Sequence, residues 1–159
     1  MSAQPIAGFG SSRRQAARLA AVQAIFQWQE GEHAPAEIID QFLSVRLAEE
    51  GEGGMRRDAD QRLFKNVVEG AVAHKEALEE VLSGALAQDW TWERVDRLVR
   101  SILLAGAYEL IHRKDVPTKV AISEYVEIAH AFYDQGEQTF VNSVLDRVAR
   151  QSRSAEFAR

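Results

Sequence analysis

The chain has 159 residues, a formal net charge of −5 at pH 7 and no cysteine. This length favours one domain, and the lack of cysteine excludes disulfides, thiol catalysis and thiolate zinc sites, as is typical of a cytoplasmic protein. The negative charge is unfavourable for a protein that coats nucleic acid through overall positive charge, so any polyanion must bind a local basic patch.

Residues 1–11, rich in Gly and Ser, are predicted to be a mobile leader. They lack the charged and apolar segments of a signal peptide. The longest nearly apolar stretch, residues 102–110, contains Glu109 and is too short to span a bilayer. We therefore expect neither a signal peptide nor a membrane helix.

The first helix is predicted from residue 12 to about residue 30. Its apolar residues recur with helical spacing among alanines: Leu19, Val22 and Phe26. Charge is segregated along this part of the chain. Residues 1–29 hold three arginines and no acid, whereas residues 30–52 hold seven acids and one arginine.

Six further helices follow from turn signals and apolar periodicity. Pro35 suits the first turn of the second helix, and Asp58 with Gln61 resembles a capping box for the third. Thr91 is predicted to cap the fifth helix, and Gly136 marks the turn into the seventh. Apolar periodicity alone indicates the fourth and the sixth.

The pattern as a whole predicts an all-α fold of seven helices, because no stretch alternates strictly between apolar and polar residues. We expect one helical domain over residues 12–152, made of sub-bundles at about 12–74 and 75–152. Residues 153–159 are predicted to be a mobile tail.

No pattern indicates an enzyme, a metal site or a cofactor. Acidic pairs such as Glu79 and Glu80 fit solvated helix faces, and no glycine run forms a phosphate loop. The histidines lack the spacing of metal ligands: His33, His74, His112 and His130. We therefore expect a non-catalytic protein without metal or cofactor.

Three arginines, Arg13, Arg14 and Arg18, are the candidate site for a polyanion. Arg14 and Arg18 lie one helical turn apart and are expected to project from one side, while Arg13 is near the helix start, where the macrodipole favours an anion. Guanidinium groups bind phosphate oxygens and stack on bases. The alternative interpretation is a solubilising basic helix end.

The aromatic residues leave several roles open. Phe140, at the predicted start of the seventh helix, is either a core residue or a base-stacking residue. Asn142 can cap a helix, hydrogen-bond a nucleotide or brace a loop. We expect Trp28 and Trp90 to lie in the core and Trp92 to be exposed.

Five segments, in this order, resemble the NusB family of bacterial transcription antitermination factors. They are residues 13–28 with the three arginines, residues 89–94, residues 102–110, residues 116–124 and residues 140–146. The resemblance spans nearly the whole chain. It implies an all-α fold of two packed bundles, with three N-terminal helices and four C-terminal ones.

The resemblance also implies a function. Members of this family bind the single-stranded box A element of ribosomal RNA leader transcripts together with NusE, a small-subunit ribosomal protein, and the complex helps RNA polymerase to resist termination. The arginines match the family's basic segment, Phe140 its aromatic residue at the last helix, and Phe26 falls where relatives often have Tyr. With Asn142, the predicted RNA-binding residues are Arg13, Arg14, Arg18, Phe26, Phe140 and Asn142.

The chain departs from the family pattern at several positions. Gln15 and Ala16 stand where some relatives have further arginines, and Thr139 stands where a lysine can precede the Phe. Ser123 and Ser143 replace the more usual Asn and Gly. The basic footprint is therefore thinner, and we expect lower RNA affinity in the absence of the partner.

The leading hypothesis is a non-catalytic RNA-binding adaptor in which the arginines and Phe140 converge in one continuous groove. The alternative is a helical protein-interaction module without intrinsic RNA binding. Similar helical domains occur fused to RNA cytosine methyltransferases, but such an enzyme needs a nucleotide-binding domain and a reactive cysteine that this chain lacks. The sequence leaves a homodimer open, because an apolar helix face can bury against a second copy.

Overall fold

The computed structural model describes residues 12–46 and 60–157. In these ranges the chain forms seven α-helices: α1 (Arg13–Trp28), α2 (Pro35–Gln41), α3 (Gln61–Ala73), α4 (Lys75–Gly84), α5 (Arg97–His112), α6 (Thr118–Phe132) and α7 (Glu137–Ser152). A π-helical turn, Phe42–Arg46, extends α2, and 3₁₀ turns lie at Trp92–Arg94 and Ser154–Phe157. The predicted all-α fold of seven helices is confirmed. The predicted leader, the glycine loop near residue 53 and Asp58 lie outside the described residues.

Helix α5 is the centre of the fold. Apolar residues occupy almost every side of this helix, as is typical of a helix that is buried all round. It packs against α1, α3, α4, α6 and α7, while α1, α2 and α3 also contact one another. Helix α5 thus contacts the N-terminal helices α1 and α3 as well as the C-terminal helices α4, α6 and α7. One hydrophobic core therefore runs through the described part of the chain. No helix within residues 12–46 and 60–157 is both long enough and apolar enough to cross a membrane.

Two glycines allow α5 to pack closely against α3 and α7. A Cβ on Gly70 of α3 would lie 2.1 Å from the ring of Tyr108 on α5. A Cβ on Gly106 of α5 would lie 2.9 Å from a methyl group of Leu145 on α7. Any larger residue at Gly70 would therefore displace the Tyr108 ring or force α3 and α5 apart.

The caps of α3 and α5 differ from the predicted ones, and the turn signal at Gly136 is confirmed. Asp60 caps α3, because its carboxylate accepts the N–H of Leu63 at 2.9 Å. Thr91 precedes a 3₁₀ turn instead of α5, and the side chain of Asp96 caps α5. Gly136 precedes α7 with φ +96°, a conformation that favours glycine.

The predicted burial of the tryptophans near α5 is reversed. Trp92 is 6% exposed, and its indole N–H donates to Glu79 Oε2 at 2.9 Å. Trp90 is 40% exposed. The 3₁₀ turn directs Trp92 inward, where its one polar atom has an acceptor, and leaves Trp90 at the surface. Glu79, expected on a solvated face, thus contributes to this packing.

Arg153, the first residue of the segment predicted to be a mobile tail, is buried against the domain. Arg153 is 5% exposed and donates to the carbonyl oxygens of Leu110 at 2.9 Å and Val116 at 2.7 Å. Charge-assisted hydrogen bonds of this kind satisfy the last carbonyl groups of a helix and fix the residues that follow. The end of α7 is therefore tied to the end of α5 and to the loop before α6.

Candidate nucleic-acid interface

The starts of α1 and α3 lie side by side. The N–H of Asp60, which precedes α3, donates to the carbonyl oxygen of Arg13 at 3.2 Å. Arg13 and Arg14 are exposed in the first turn of α1, after the Ser12 side chain has capped the helix. Two helix N-termini and two exposed arginines thus bring positive potential to one edge of the molecule.

Arg18 does not project with Arg14, contrary to the sequence prediction. It is 3% exposed, and its guanidinium donates to both carboxylate oxygens of Glu109, Nε to Oε2 at 2.8 Å and Nη2 to Oε1 at 2.9 Å. Its Nη1 also lies 3.6 Å from Glu124. The spacing of Arg14 and Arg18 does place them on neighbouring turns of α1. Arg18 is nevertheless buried, because its guanidinium pairs with Glu109 on α5.

The buried ion pair is completed by a tyrosine from a third helix. The hydroxyl of Tyr125 on α6 donates to Glu109, whose side chain is fully buried. Burial by itself disfavours the charge of Arg18, but the hydrogen bonds and charge of Glu109 outweigh it and raise the pKa of Arg18 above its usual value. Arg18, Glu109 and Tyr125 therefore hold α1, α5 and α6 together.

A groove of about 830 Å³ opens above this ion pair, and we call it the arginine groove. It runs between the first turns of α1 and α3 and the loop from α5 to α6. Its lining includes the arginines Arg14, Arg62 and Arg113, with Arg18 beneath them, and the apolar residues Val116, Pro117 and Val120. Arg62 and Arg113 were not predicted as site residues, because 48 or more positions separate them from Arg14 and only the packing of three helices joins them.

The acidic residues of the arginine groove are already engaged. Asp60 caps α3, and Asp115 accepts from Arg113 at 3.3 Å. That hydrogen bond lowers the pKa of Asp115 below its usual value, so the carboxylate stays ionised at neutral pH. Arg113 also donates to Asn66 Oδ1 at 3.2 Å, which orients its guanidinium. Because Asp115 offsets the charge of Arg113, the positive charge of the groove comes mainly from Arg14 and Arg62, and Asp60 offsets part of it.

Phe140 belongs to a second exposed feature, which we call the aromatic cluster. Its ring centroid lies 5.8 Å from that of Trp90, and the guanidinium carbon of Arg94 lies 4.9 Å above the Trp90 ring. Phe140 is half-buried, so Trp90 offers the larger open face. A planar guanidinium beside an exposed indole can stack on a nucleobase. Neither Trp90 nor Arg94 was predicted from the sequence as a site residue.

The other two predicted residues differ in accessibility. Asn142 is exposed on the first turns of α7, two positions after Phe140. Phe26 packs partly buried against the hydrophobic core. A strand bound near Phe140 can reach Asn142, whereas Phe26 contributes at least part of its surface to packing.

The arginine groove and the aromatic cluster lie toward opposite ends of α5. Arg18, early in α1, pairs with Glu109 near the end of α5, and Gln29, just after α1, donates to Ser101 near its start. Arg153, just after α7, donates to Leu110, so the start of α7 lies at the other end of α5. The predicted single convergent groove is therefore wrong. The 16 residues of α5 span about 24 Å, and only an extended ligand can touch both features.

The described residues show no arrangement that could hold a metal ion through three or more His, Cys, Asp or Glu side chains.

The chain matches the family model described as the NusB family over residues 15–150. It is 44% identical over 149 residues to a transcription antitermination protein NusB of Nitrobacter hamburgensis, covering 94% of this chain and 93% of that one. It is 46% identical to a NusB of Rhodopseudomonas palustris, covering 94% and 88%.

Solved structures share the fold at lower identity. NusB of T. maritima superposes with a TM-score of 0.73 at 23% identity, covering 93% of this chain and 99% of that one. A crystal structure of the antitermination factors NusB and NusE in complex with double-stranded RNA gives a TM-score of 0.72 at 20% identity, covering 86% and 96%. The family model and the full-length relatives together show that this chain belongs to the NusB family.

Proposed function

We propose that this protein is a transcription antitermination factor that binds single-stranded box A RNA of ribosomal RNA transcripts together with NusE. Relatives at 44–46% identity are named transcription antitermination protein NusB. One structural neighbour is a NusB bound to NusE and RNA. In this function the protein is a non-catalytic adaptor on the RNA polymerase complex, and it acts in the cytoplasm, where transcription takes place.

The arginine groove is the observation that carries the proposal. Arg14, Arg62 and Arg113 line one groove, and Arg13 lies beside it at the start of α1. Guanidinium groups bind phosphate oxygens through forked donors, and the two adjoining helix N-termini favour the same negative charge. Arg18 has a positioning role in this proposal, because its pairing with Glu109 fixes the turn of α1 that carries Arg14.

The aromatic cluster supplies contacts to the bases. In the proposed complex an unstacked base packs on Trp90 or Phe140, and Asn142 hydrogen-bonds a neighbouring polar edge. Because the 16 residues of α5 span about 24 Å, only a strand of several nucleotides can run from the arginine groove to this cluster. Phosphate contacts thus position the RNA at one end of α5, and base contacts read it at the other.

Fluorescence anisotropy with a short box A RNA and a scrambled control, each with and without NusE, tests the proposal. If about three phosphates are neutralised, log K should fall with log salt at a slope near −2. The double variant R14A/R62A should bind more weakly and give a shallower slope. R150A, which removes an exposed arginine of α7 that belongs neither to the arginine groove nor to the aromatic cluster, is the control. A flat salt response, or equal loss in R150A, would contradict the groove assignment.

The same titration separates the alternative of a helical protein-interaction module. Exposed acids on α2, such as Glu37 and Asp40, give that alternative a surface for a basic partner. Binding of NusE without any binding of RNA, even at low salt, would favour the module over the RNA-binding adaptor.

A further inference from the structure

Two histidines from distant parts of the sequence form a surface stack with a tyrosine. The ring centroids of His74 and His112 are 4.2 Å apart with planes inclined by 22°. The ring of Tyr108 lies 5.3 Å from that of His112 in a similar orientation. His74 joins α3 to α4, and the other two residues lie in the last turns of α5. We call these three residues the histidine stack.

The histidine stack lies at the surface of the protein. Both histidines are exposed, whereas Tyr108 is 7% exposed and anchors the rings against the core. Partial burial and then the nearby His74 lower the pKa of His112 below its usual value of 6.5, so its ring is neutral at neutral pH. A neutral imidazole with parallel neighbours resembles the flat surface on which nucleobases stack.

The stack adjoins the arginine groove through Asn66. The hydroxyl of Tyr108 donates to Asn66 Oδ1 at 3.2 Å, and Arg113 donates to the same oxygen at 3.2 Å. Asn66 and Arg113 both line the groove, and His112 immediately precedes Arg113 in the chain. The arginine groove and the histidine stack therefore meet at Asn66.

We propose that His74 and His112 form a base-stacking subsite at the border of the arginine groove, for an unpaired base of the same single-stranded RNA. The proposal rests on the proposed function, because the phosphates must first be held by the arginines. The aromatic cluster lies at the far end of α5, so the strand has a stacking surface at each end. The rings of the two histidines supply the stacking surface.

Variants that remove or keep the rings test this subsite. The double variant H74A/H112A should bind box A RNA about fivefold more weakly, which is the lower end of what one base-aromatic stack contributes. H74F/H112F keeps flat rings without titratable nitrogens and should bind within about twofold of the wild-type protein. H33A/H130A removes two exposed histidines elsewhere and should bind as the wild type does. Circular dichroism of each variant checks that the helices are intact.

The salt dependence distinguishes stacking from charge. The slope of log K against log salt should be the same in H74A/H112A as in the wild type, because no phosphate contact is lost. Unchanged affinity in H74A/H112A, or an equal loss in H74F/H112F, would overturn the subsite while R14A/R62A still reported on the groove. If R14A/R62A also left affinity unchanged, the groove assignment would fail, whereas a wild-type protein that bound no box A RNA even with NusE present would refute the proposed function itself.

Discussion

Removing the guanidinium of Arg18 is expected to destabilise the fold, and not primarily to weaken RNA binding. In R18A the Glu109 carboxylate, whose side chain is 0% exposed, loses two hydrogen bonds of 2.8 and 2.9 Å and its counter-charge. Only the hydroxyl of Tyr125 remains to solvate it. A buried charge in this state is one of the few causes of a large loss of stability.

The expected loss is about 3–5 kcal/mol, the usual effect of removing one partner from a buried ion pair. A domain of this size has a free energy of unfolding of about 5–15 kcal/mol, so the R18A variant should be only marginally stable. R14A removes an exposed arginine on the same helix and should change stability by less than about 0.5 kcal/mol. The two neighbouring arginines of α1 thus have opposite expected phenotypes.

Urea unfolding followed by circular dichroism measures both variants. The double variant R18M/E109L removes both charges and should recover much of the stability lost in R18A, because an apolar pair avoids the cost of burying an unpaired charge. A loss below about 1 kcal/mol in R18A would refute the assignment of Arg18 to the core. If R18A folds normally but loses RNA binding to the same degree as R14A, Arg18 would instead be an RNA-contacting residue of the arginine groove.

Three further predictions test the packing around α5. The pKa of Tyr125 is raised well above its usual value of 10.0 by burial and then by Glu109, so only the unfolded chain ionises this group near pH 10. Burial and then Asp96 also raise the pKa of Tyr133, so two tyrosines contribute to the decline. Stability should be intact below about pH 10 and then fall, and denaturant titrations of Y125F should give a slope that is shallower by about 1.4 kcal/mol per pH unit. G70A, whose Cβ would meet Tyr108 at 2.1 Å, should lose about 1–3 kcal/mol in thermal melts, whereas G84A, with open space around it, should lose nothing. D60A should lose about 1 kcal/mol in urea unfolding through its missing cap, and an unchanged midpoint would contradict that role.

The pattern of apolar residues was sufficient to predict the helices, but it could not assign their caps. Periodicity depends only on local spacing, and it indicates seven helices that the structure contains. Asp58 and Thr91 had the right residue type and nearly the right position for caps. Asp60 and Asp96 hold those positions instead, because the first residue of a helix is fixed by packing within a few positions.

Burial of individual polar and aromatic residues was harder to predict. Glu109 stands alone in the apolar run at residues 102–110, and such an isolated acid is a signal for a buried cationic partner. The sequence does not say which arginine supplies it, since Arg18 is 91 positions away. Trp90 and Trp92 are separated by one residue, and the orientation of a single 3₁₀ turn decides which of them is buried.

The sequence by itself determined the all-α class, the number of helices and the family, because these follow from local apolar spacing and from motifs that are contiguous in the chain. The tertiary structure alone decided which charges face solvent and which surfaces are shared. Arg18 is committed to Glu109, Arg62 and Arg113 join Arg14 in one groove, and the aromatic cluster lies at the other end of α5. Each of these depends on contacts between residues far apart in sequence, and such contacts exist only after the helices have packed around α5.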